Sequence, residues 1–297
     1  MKIAKHLIAV LAVLAFALQG CEKDVANFEI NATPMLVTTA FISPQDTILT
    51  VTLQYTQPAI GRHRDEEELK VPDATVILSD GTKEVQLTYD AAWNKYFGPI
   101  EELPIVAGKT YFLKVTTPEG EKAEAACTVP LRDGVQVTEL NYETAPHDSY
   151  GYQMLRHKIT YKWQDAPGVE NFYHLTAYRT YYIDFGYPPI RTAHHEMAYT
   201  DNEKIYVSDE KQDGRVMASP EFEFSSADPD HVPRPFNVVA VIAVTDEAYY
   251  RYHQSVINQE SNGGNPFAEP QQIYGNVQGG LGVFAAYNQI KVQRVIQ

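Results

Sequence analysis

Three stretches carry residues whose types could do chemistry. His195-Glu196-Met197-Ala198-Tyr199 opens like the helix of a zinc protease, in which two histidines four apart share the metal and the glutamate acts as base. Tyr199 stands where the second histidine is needed, so the protease motif is broken. His194, His195 and Glu196 remain as weak metal ligands that would need a distant residue such as His231 to complete a site. Adjacent histidines on a strand point to opposite faces, which argues against a shared ion. Gly280-Leu281-Gly282-Val283-Phe284-Ala285 has the glycine spelling of a dinucleotide loop, yet only fifteen residues follow Gly282 and none is acidic. A βαβ unit with its ribose carboxylate does not fit there.

The remaining motifs are absent or ordinary. There is no Gly-x-Ser-x-Gly elbow and no phosphate-loop lysine. Glu66 to Glu68, and Asp228 with Asp230, sit in loop-like sequence where a solvated face or a weak calcium site is the plain reading. A glycosidase needs two carboxylates across a cleft, a spacing that sequence does not display. Cys127 alternates with Ala123, Ala125 and Val129, which puts it on the inward face of a strand as a small hydrophobe rather than a nucleophile. The expectation is a protein without catalytic residues or cofactor that acts by contact.

Aromatic side chains are the natural contact groups, and all but four of the twenty tyrosines lie from Tyr142 onward. Between Tyr178 and Tyr206 they crowd both strand faces and are interrupted by Gly186-Tyr187-Pro188-Pro189, as in an extended insert or long hairpin. Tyr181, Tyr182, Phe185, Tyr187 and Tyr199 are the candidate contact residues for a peptide, sugar or protein. Core packing is the competing role for the same rings.

The elements that would position these groups are strands. Leu49, Val51, Leu53 and Tyr55 alternate against Thr50, Thr52 and Gln54, the period of a half-buried strand. Ala74, Val76 and Leu78 lead into Asp80-Gly81, and Val85, Leu87 and Tyr89 lead out, a two-residue hairpin signal. Leu113 and Val115 follow Tyr111, which sits where the corner tyrosine of an immunoglobulin-like or fibronectin-like sandwich would. GRHRDEEELK, residues 61–70, reads as an exposed loop. In the second half, Ile159, Tyr161 and Trp163 alternate inward, and Val238 to Val244 is apolar on both parities, as in a central strand covered on each side. Asp246 can cap a helix from about 247 to 260 with Tyr249, Tyr252 and Val256 on one face, ended by Gly263-Gly264-Asn265-Pro266.

The start of the chain speaks to location. Lys2 and Lys5 precede an apolar run from Leu7 to Leu18, too short for a mature membrane span, so residues 1–20 read as a signal peptide. Leu18-Gln19-Gly20-Cys21 resembles the lipobox of bacterial lipoproteins, which assigns Cys21 to lipidation and leaves Cys127 without a disulfide partner. Residues 21–34 would be a lipidated tether. The formal charge is −14, and cleavage would remove two of the lysines. With no basic stripe to offset this, nucleic acid is a poor partner, and membrane attachment falls to the lipid.

The predicted architecture is therefore mainly β: an immunoglobulin-like or fibronectin-like sandwich over 35–131, then a larger β-sandwich-like domain over 132–297 with one α-helix. Its most distinctive stretch is Glu247-Ala248-Tyr249-Tyr250-Arg251-Tyr252 followed by Asn265-Pro266-Phe267-Ala268-Glu269-Pro270, Tyr274-Gly275-Asn276-Val277 and Gly279-Gly280-Leu281-Gly282. This resembles the carboxy-terminal signature of the Bacteroidetes lipoproteins grouped as domain of unknown function 4249. The resemblance implies an outer-membrane or surface lipoprotein that accompanies a TonB-dependent transporter as a non-catalytic binding or accessory component. It carries no catalytic residues. A carbohydrate- or peptide-acting envelope hydrolase and a structural surface subunit are the alternatives.

Overall fold

The computed structural model describes residues 33–57, 63–149, 151–184, 191–226, 235–262 and 272–297. Cys21, Phe185, Tyr187, His231, the signal peptide, nearly all of the tether, the Asp228/Asp230 pair and Gly263 to Pro266 lie outside the described residues. The protein is mainly β; among the described residues there are a twelve-stranded sheet, a four-stranded sheet and one long helix, Glu247–Asn262.

The first seven strands are β1 (Leu36–Ile42), β2 (Ile48–Tyr55), β3 (Thr75–Ser79), β4 (Glu84–Asp90), β5 (Lys95–Pro99), β6 (Thr110–Thr116) and β7 (Lys122–Thr128). They are hydrogen-bonded in the order β1-β2-β5-β4-β3-β6-β7, with β4 shared: its Glu84 to Leu87 pair with β3 and its Thr88 to Asp90 with β5. Alternation explains the burial: Leu49, Val51 and Leu53 point into the same cluster as Val76, Leu78, Leu113, Val115 and Cys127. Tyr111 makes the expected corner, donating from its hydroxyl to the Pro104 carbonyl at 2.8 Å and accepting the Val106 N–H at 2.8 Å. The β3–β4 turn sits one residue later than the sequence spelling indicated. Asp80 N–H still pairs with Lys83 at 3.1 Å, and Gly81, at φ +86°, is the first of the two central residues. The charged segment is not wholly loop either: Glu66–Leu69 forms one exposed helical turn.

The second half is a sandwich of two sheets. One holds β8 (Gln136–Ser149), β9 (Tyr152–Gln164), β13 (Val216–Ala218) and β14 (Phe222–Ser226); the other runs β11 (Arg191–Met197), β10 (Phe172–Asp184), β15 (Phe236–Thr245), β16 (Leu281–Ile296), with β12 (Tyr206–Ser208) beside β10. Trp163, Tyr161 and Ile159 from one sheet meet Tyr173, Leu175, Val238, Ala240 and Ile242 from the other. β15 is buried almost throughout, as its two-sided apolar pattern requires.

One strand belongs to both halves. β16 pairs parallel with β1 over Leu281 to Ala286 and antiparallel with β15 over Tyr287 to Ile296, which joins the halves into one twelve-stranded sheet. Phe284 and Ala286 therefore belong to the first core, although Val283 and Ala285, on the opposite face, lie under the helix. Just ahead of β16, Gln278 exchanges two backbone bonds with Glu124 on β7, at 2.8 and 2.9 Å, so the free edge of the first sandwich is covered.

Candidate functional site

The seam between the halves is built by the segment that carries the family-like signature. Asp246 starts the helix by accepting the Tyr249 N–H at 2.8 Å, as its position before the first apolar turn predicts. The helix then lays Tyr249, Tyr252 and His253 on Phe41 of β1, with ring centroids 5.1, 5.9 and 5.2 Å away. His174 of β10 stacks on Tyr206 at 4.4 Å and shares a 2.9 Å hydrogen bond with the Tyr249 hydroxyl. Burial, reinforced by neighbouring His253, lowers the His174 pKa to about 4. Burial likewise raises Asp246 to about 7 and Tyr206 to about 12.

The glycines of the signature serve close backbone approach rather than phosphate binding. A Cβ on Gly282, at φ +107°, would lie 2.0 Å from the Thr38 carbonyl oxygen, and one on Gly280 would lie 2.6 Å from that of Leu36. Asn276 stands in for a strand neighbour, donating to the Phe284 carbonyl at 2.8 Å and accepting its N–H at 2.9 Å.

Beside this clasp lies a groove of about 670 Å³, within the range of small-ligand sites. Val37 and Thr39 of β1, Tyr252 of the helix, and Ile273, Val277 and Leu281 supply its walls, with Gln54 and Gln272 as polar groups. Its described lining includes no carboxylate, histidine, lysine, arginine or cysteine. Such a lining can hold apolar and hydrogen-bonding ligands but has no group suited to move a proton near neutral pH. On the other side of Gln272 to Gly275 is a second, more polar cavity of about 580 Å³, where Arg251 lies 4.4 Å over the Tyr274 ring.

The contact residues expected from sequence do not converge. Tyr181 packs against the second core, stacked at 5.6 Å on His194 and covered by the Arg179 guanidinium at 4.9 Å. Tyr182, its neighbour in β10, points to the other face and is 48% exposed. Tyr199 lies beyond β11, is 74% exposed, and bridges by its backbone to Glu223 of β14. The weak metal ligands are also dispersed. Glu196 is taken by Arg179, which donates from Nε at 2.7 Å, while His195 faces away from His194 and sits near Thr180 at 3.3 Å. Cys127 is buried, and burial pushes its thiol well up, away from the reactive thiolate.

Among the described residues, the trio Asp165, Asp209 and Asp213 does bring metal-binding groups together, with one oxygen of each within 4.8 Å of the others. Sequence reading passed over it because its members come from two loops more than forty residues apart. The local signal was Asp209-Glu210-Lys211-Gln212-Asp213-Gly214, carboxylates four apart ahead of a glycine, as in oxygen-lined cation loops.

The geometry thus defines a mainly β protein of two sandwich-like halves clasped by one helix and a glycine-rich segment. A family model described as Domain of unknown function (DUF4249) matches residues 23–293, and the chain belongs to that family. No curated protein matches it in sequence.

Proposed function

We propose that this chain is a lipid-anchored outer-membrane protein that serves a TonB-dependent uptake system as a non-catalytic binding component. The observation that carries the proposal is the seam groove, which is large enough for a ligand or a partner's loop and whose described lining is aromatic, aliphatic and amide side chains with no acid–base pair among them. Its position supports the same reading. Val37 and Thr39 line it within a few residues of where the tether enters β1, and fourteen residues from Cys21 reach at most about 50 Å. The groove is thereby held close to the lipid surface in which a transporter barrel resides. The acidic charge keeps the body of the protein off anionic headgroups, which leaves attachment to the lipid on Cys21.

The test is isolation of the lipidated protein from its native membrane in mild detergent, comparing the natural chain with Ile273→Asp and Leu281→Asp. Both residues are about 40% exposed, and the Tm of each variant, read alongside, separates lost contact from lost folding. A TonB-dependent barrel that co-purifies with the natural chain and is lost from both variants supports the proposal. A solitary natural chain, or equal recovery of the barrel with all three, overturns the groove's role.

A further inference from the structure

A second site lies where β9 ends and β10 begins, outside the lining of the groove. Asp165 follows β9 and opens the loop to β10; Asp209 and Asp213 lie in the loop between β12 and β13. Backbone bonds tie the two loops together, Asp165 N–H to the Arg215 carbonyl at 3.0 Å and Asp209 N–H to the Asn171 carbonyl at 3.1 Å. Gly168 N–H donates to Asp213 Oδ1 at 2.7 Å and Gly214 N–H to Asp165 Oδ2 at 2.7 Å. Tyr173 donates its hydroxyl to Asp165 Oδ1 from the core.

These bonds leave the charge unanswered. Asp209 is only 2% exposed, and its Oδ2 has no hydrogen-bond partner. No lysine or arginine among the described residues pairs with any of the three carboxylates. A buried carboxylate oxygen with neither donor nor counter-ion is costly even though the Asn171 N–H donates to the same carboxylate, and two further carboxylates within 4.8 Å add to the cost. Asn171 braces the loop beside them: its amide nitrogen faces the Ala166 carbonyl at 3.2 Å, the Val169 carbonyl at 3.3 Å and Asp165 Oδ1 at 3.2 Å, so it acts as a donor to this ring of acceptors.

We infer that Asp165, Asp209 and Asp213, with Asn171 beside them, bind a calcium ion that staples the β9–β10 and β12–β13 loops together. Calcium takes six to eight oxygens at about 2.3–2.6 Å, so oxygens on opposite sides of one ion lie up to roughly 5 Å apart, which matches the trio's span. Magnesium's tighter octahedron brings them to about 4 Å and asks for stricter geometry. Asp165 is available for this role although both its oxygens accept hydrogen bonds, because each keeps a second lone pair. The glycine after Asp213 fits the same plan: Gly214 has φ +65°, and a Cβ there would meet Pro167 at 2.8 Å, so only glycine lets the two loops close on each other.

The experiment uses the full chain in mild detergent, stripped with EDTA and titrated calorimetrically with CaCl2 and separately with MgCl2. Calcium is expected to bind at one site, more tightly than magnesium, and to raise Tm by roughly 5 °C at saturation. Asp213→Asn, at an exposed position that leaves the fold intact, is expected to weaken calcium binding at least tenfold. Asp209→Asn removes the unpaired buried charge, so it should raise Tm in EDTA and abolish the calcium-induced rise. No heat or Tm response to calcium would overturn the inference. So would an equal response to magnesium, or undiminished calcium binding in both variants.

Discussion

Asp246 and Ala286 hold each other in both directions. The Asp246 N–H donates to the Ala286 carbonyl at 2.9 Å, and Asp246 Oδ2 accepts the Ala286 N–H at 2.9 Å. Since Asp246 Oδ1 also caps the helix at Tyr249, one carboxylate joins the helix to a residue of the first core. Burial raises its pKa from 3.8 to about 7. The folded state thus holds this proton where the unfolded chain releases it, and the contribution present below about pH 4 is lost as pH climbs toward 7. Asp246→Asn should remove that decline. Its amide nitrogen would face a backbone donor, so the variant should be less stable by about 1–2 kcal/mol at pH 5, with a narrower gap at pH 8. Urea unfolding at several pH values reads both; parallel profiles for the two proteins would refute the assignment.

His174 acts with the opposite sign. Its pKa is lowered to about 4 by burial and by His253, so the unfolded chain binds the proton first as the solution is acidified. Stability from this group is complete above about pH 6.5 and is lost as pH falls toward 4. His174→Phe keeps the stack on Tyr206 but cannot charge. It should reduce the acid-side loss, at a cost of about 1 kcal/mol at neutral pH for the missing bond to Tyr249. Because His253 is lowered too, a residual slope should persist in His174→Phe and shrink further in the double variant. A slope that His174→Phe leaves untouched would place the titration elsewhere.

Local pattern made much of this fold readable. The alternation in β2, the two-sided run of β15, the Asp246 cap and the corner at Tyr111 depend on neighbours within a few residues, where spacing translates directly into burial or a hydrogen bond. What sequence did not show is pairing at long range. The parallel seat of β16 on β1 sets Val37 opposite Leu281, and no local property of either residue announces it. The groove was illegible for the same reason, since its walls come from β1, β2, the helix and the segment before β16. Tyr181 and Tyr182 read alike as aromatic letters, and only the sheet's two faces separate them. The aspartate trio was hidden because its three members lie on loops that meet through β9, β10 and β12.

Gly282 offers a sharp test of the clasp. A methyl group there would meet the Thr38 carbonyl at 2.0 Å, and Thr38 cannot withdraw without breaking the β1–β16 pairing. Gly120 has a comparable φ of +92° with nothing within 4 Å of the added Cβ. Gly120→Ala should therefore cost only the backbone strain, about 1–2 kcal/mol, whereas Gly282→Ala should cost at least ~3 kcal/mol by adding the clash. Thermal unfolding of the two variants side by side measures the difference, and equal costs would mean that β16 does not seat on β1 as described.

Tyr181, Tyr182 and Tyr199 separate packing from contact. Tyr181 loses its stack on His194 and its place beneath Arg179 when truncated, so Tyr181→Ala should destabilise the protein by about 2 kcal/mol, below the cost of a fully buried aromatic. Tyr182→Ala and Tyr199→Ala remove rings that are 48% and 74% exposed, and should change stability by no more than about 0.5 kcal/mol. If the β10–β11 hairpin takes part in partner contact, only these two variants should weaken co-purification of the barrel while unfolding at the natural denaturant midpoint. If all contact lies in the seam groove, both should recover the barrel as well as the natural chain does, and Ile273→Asp and Leu281→Asp should lose it. A large loss of stability in Tyr199→Ala would contradict its exposed placement, because nothing but its backbone is tied to β14.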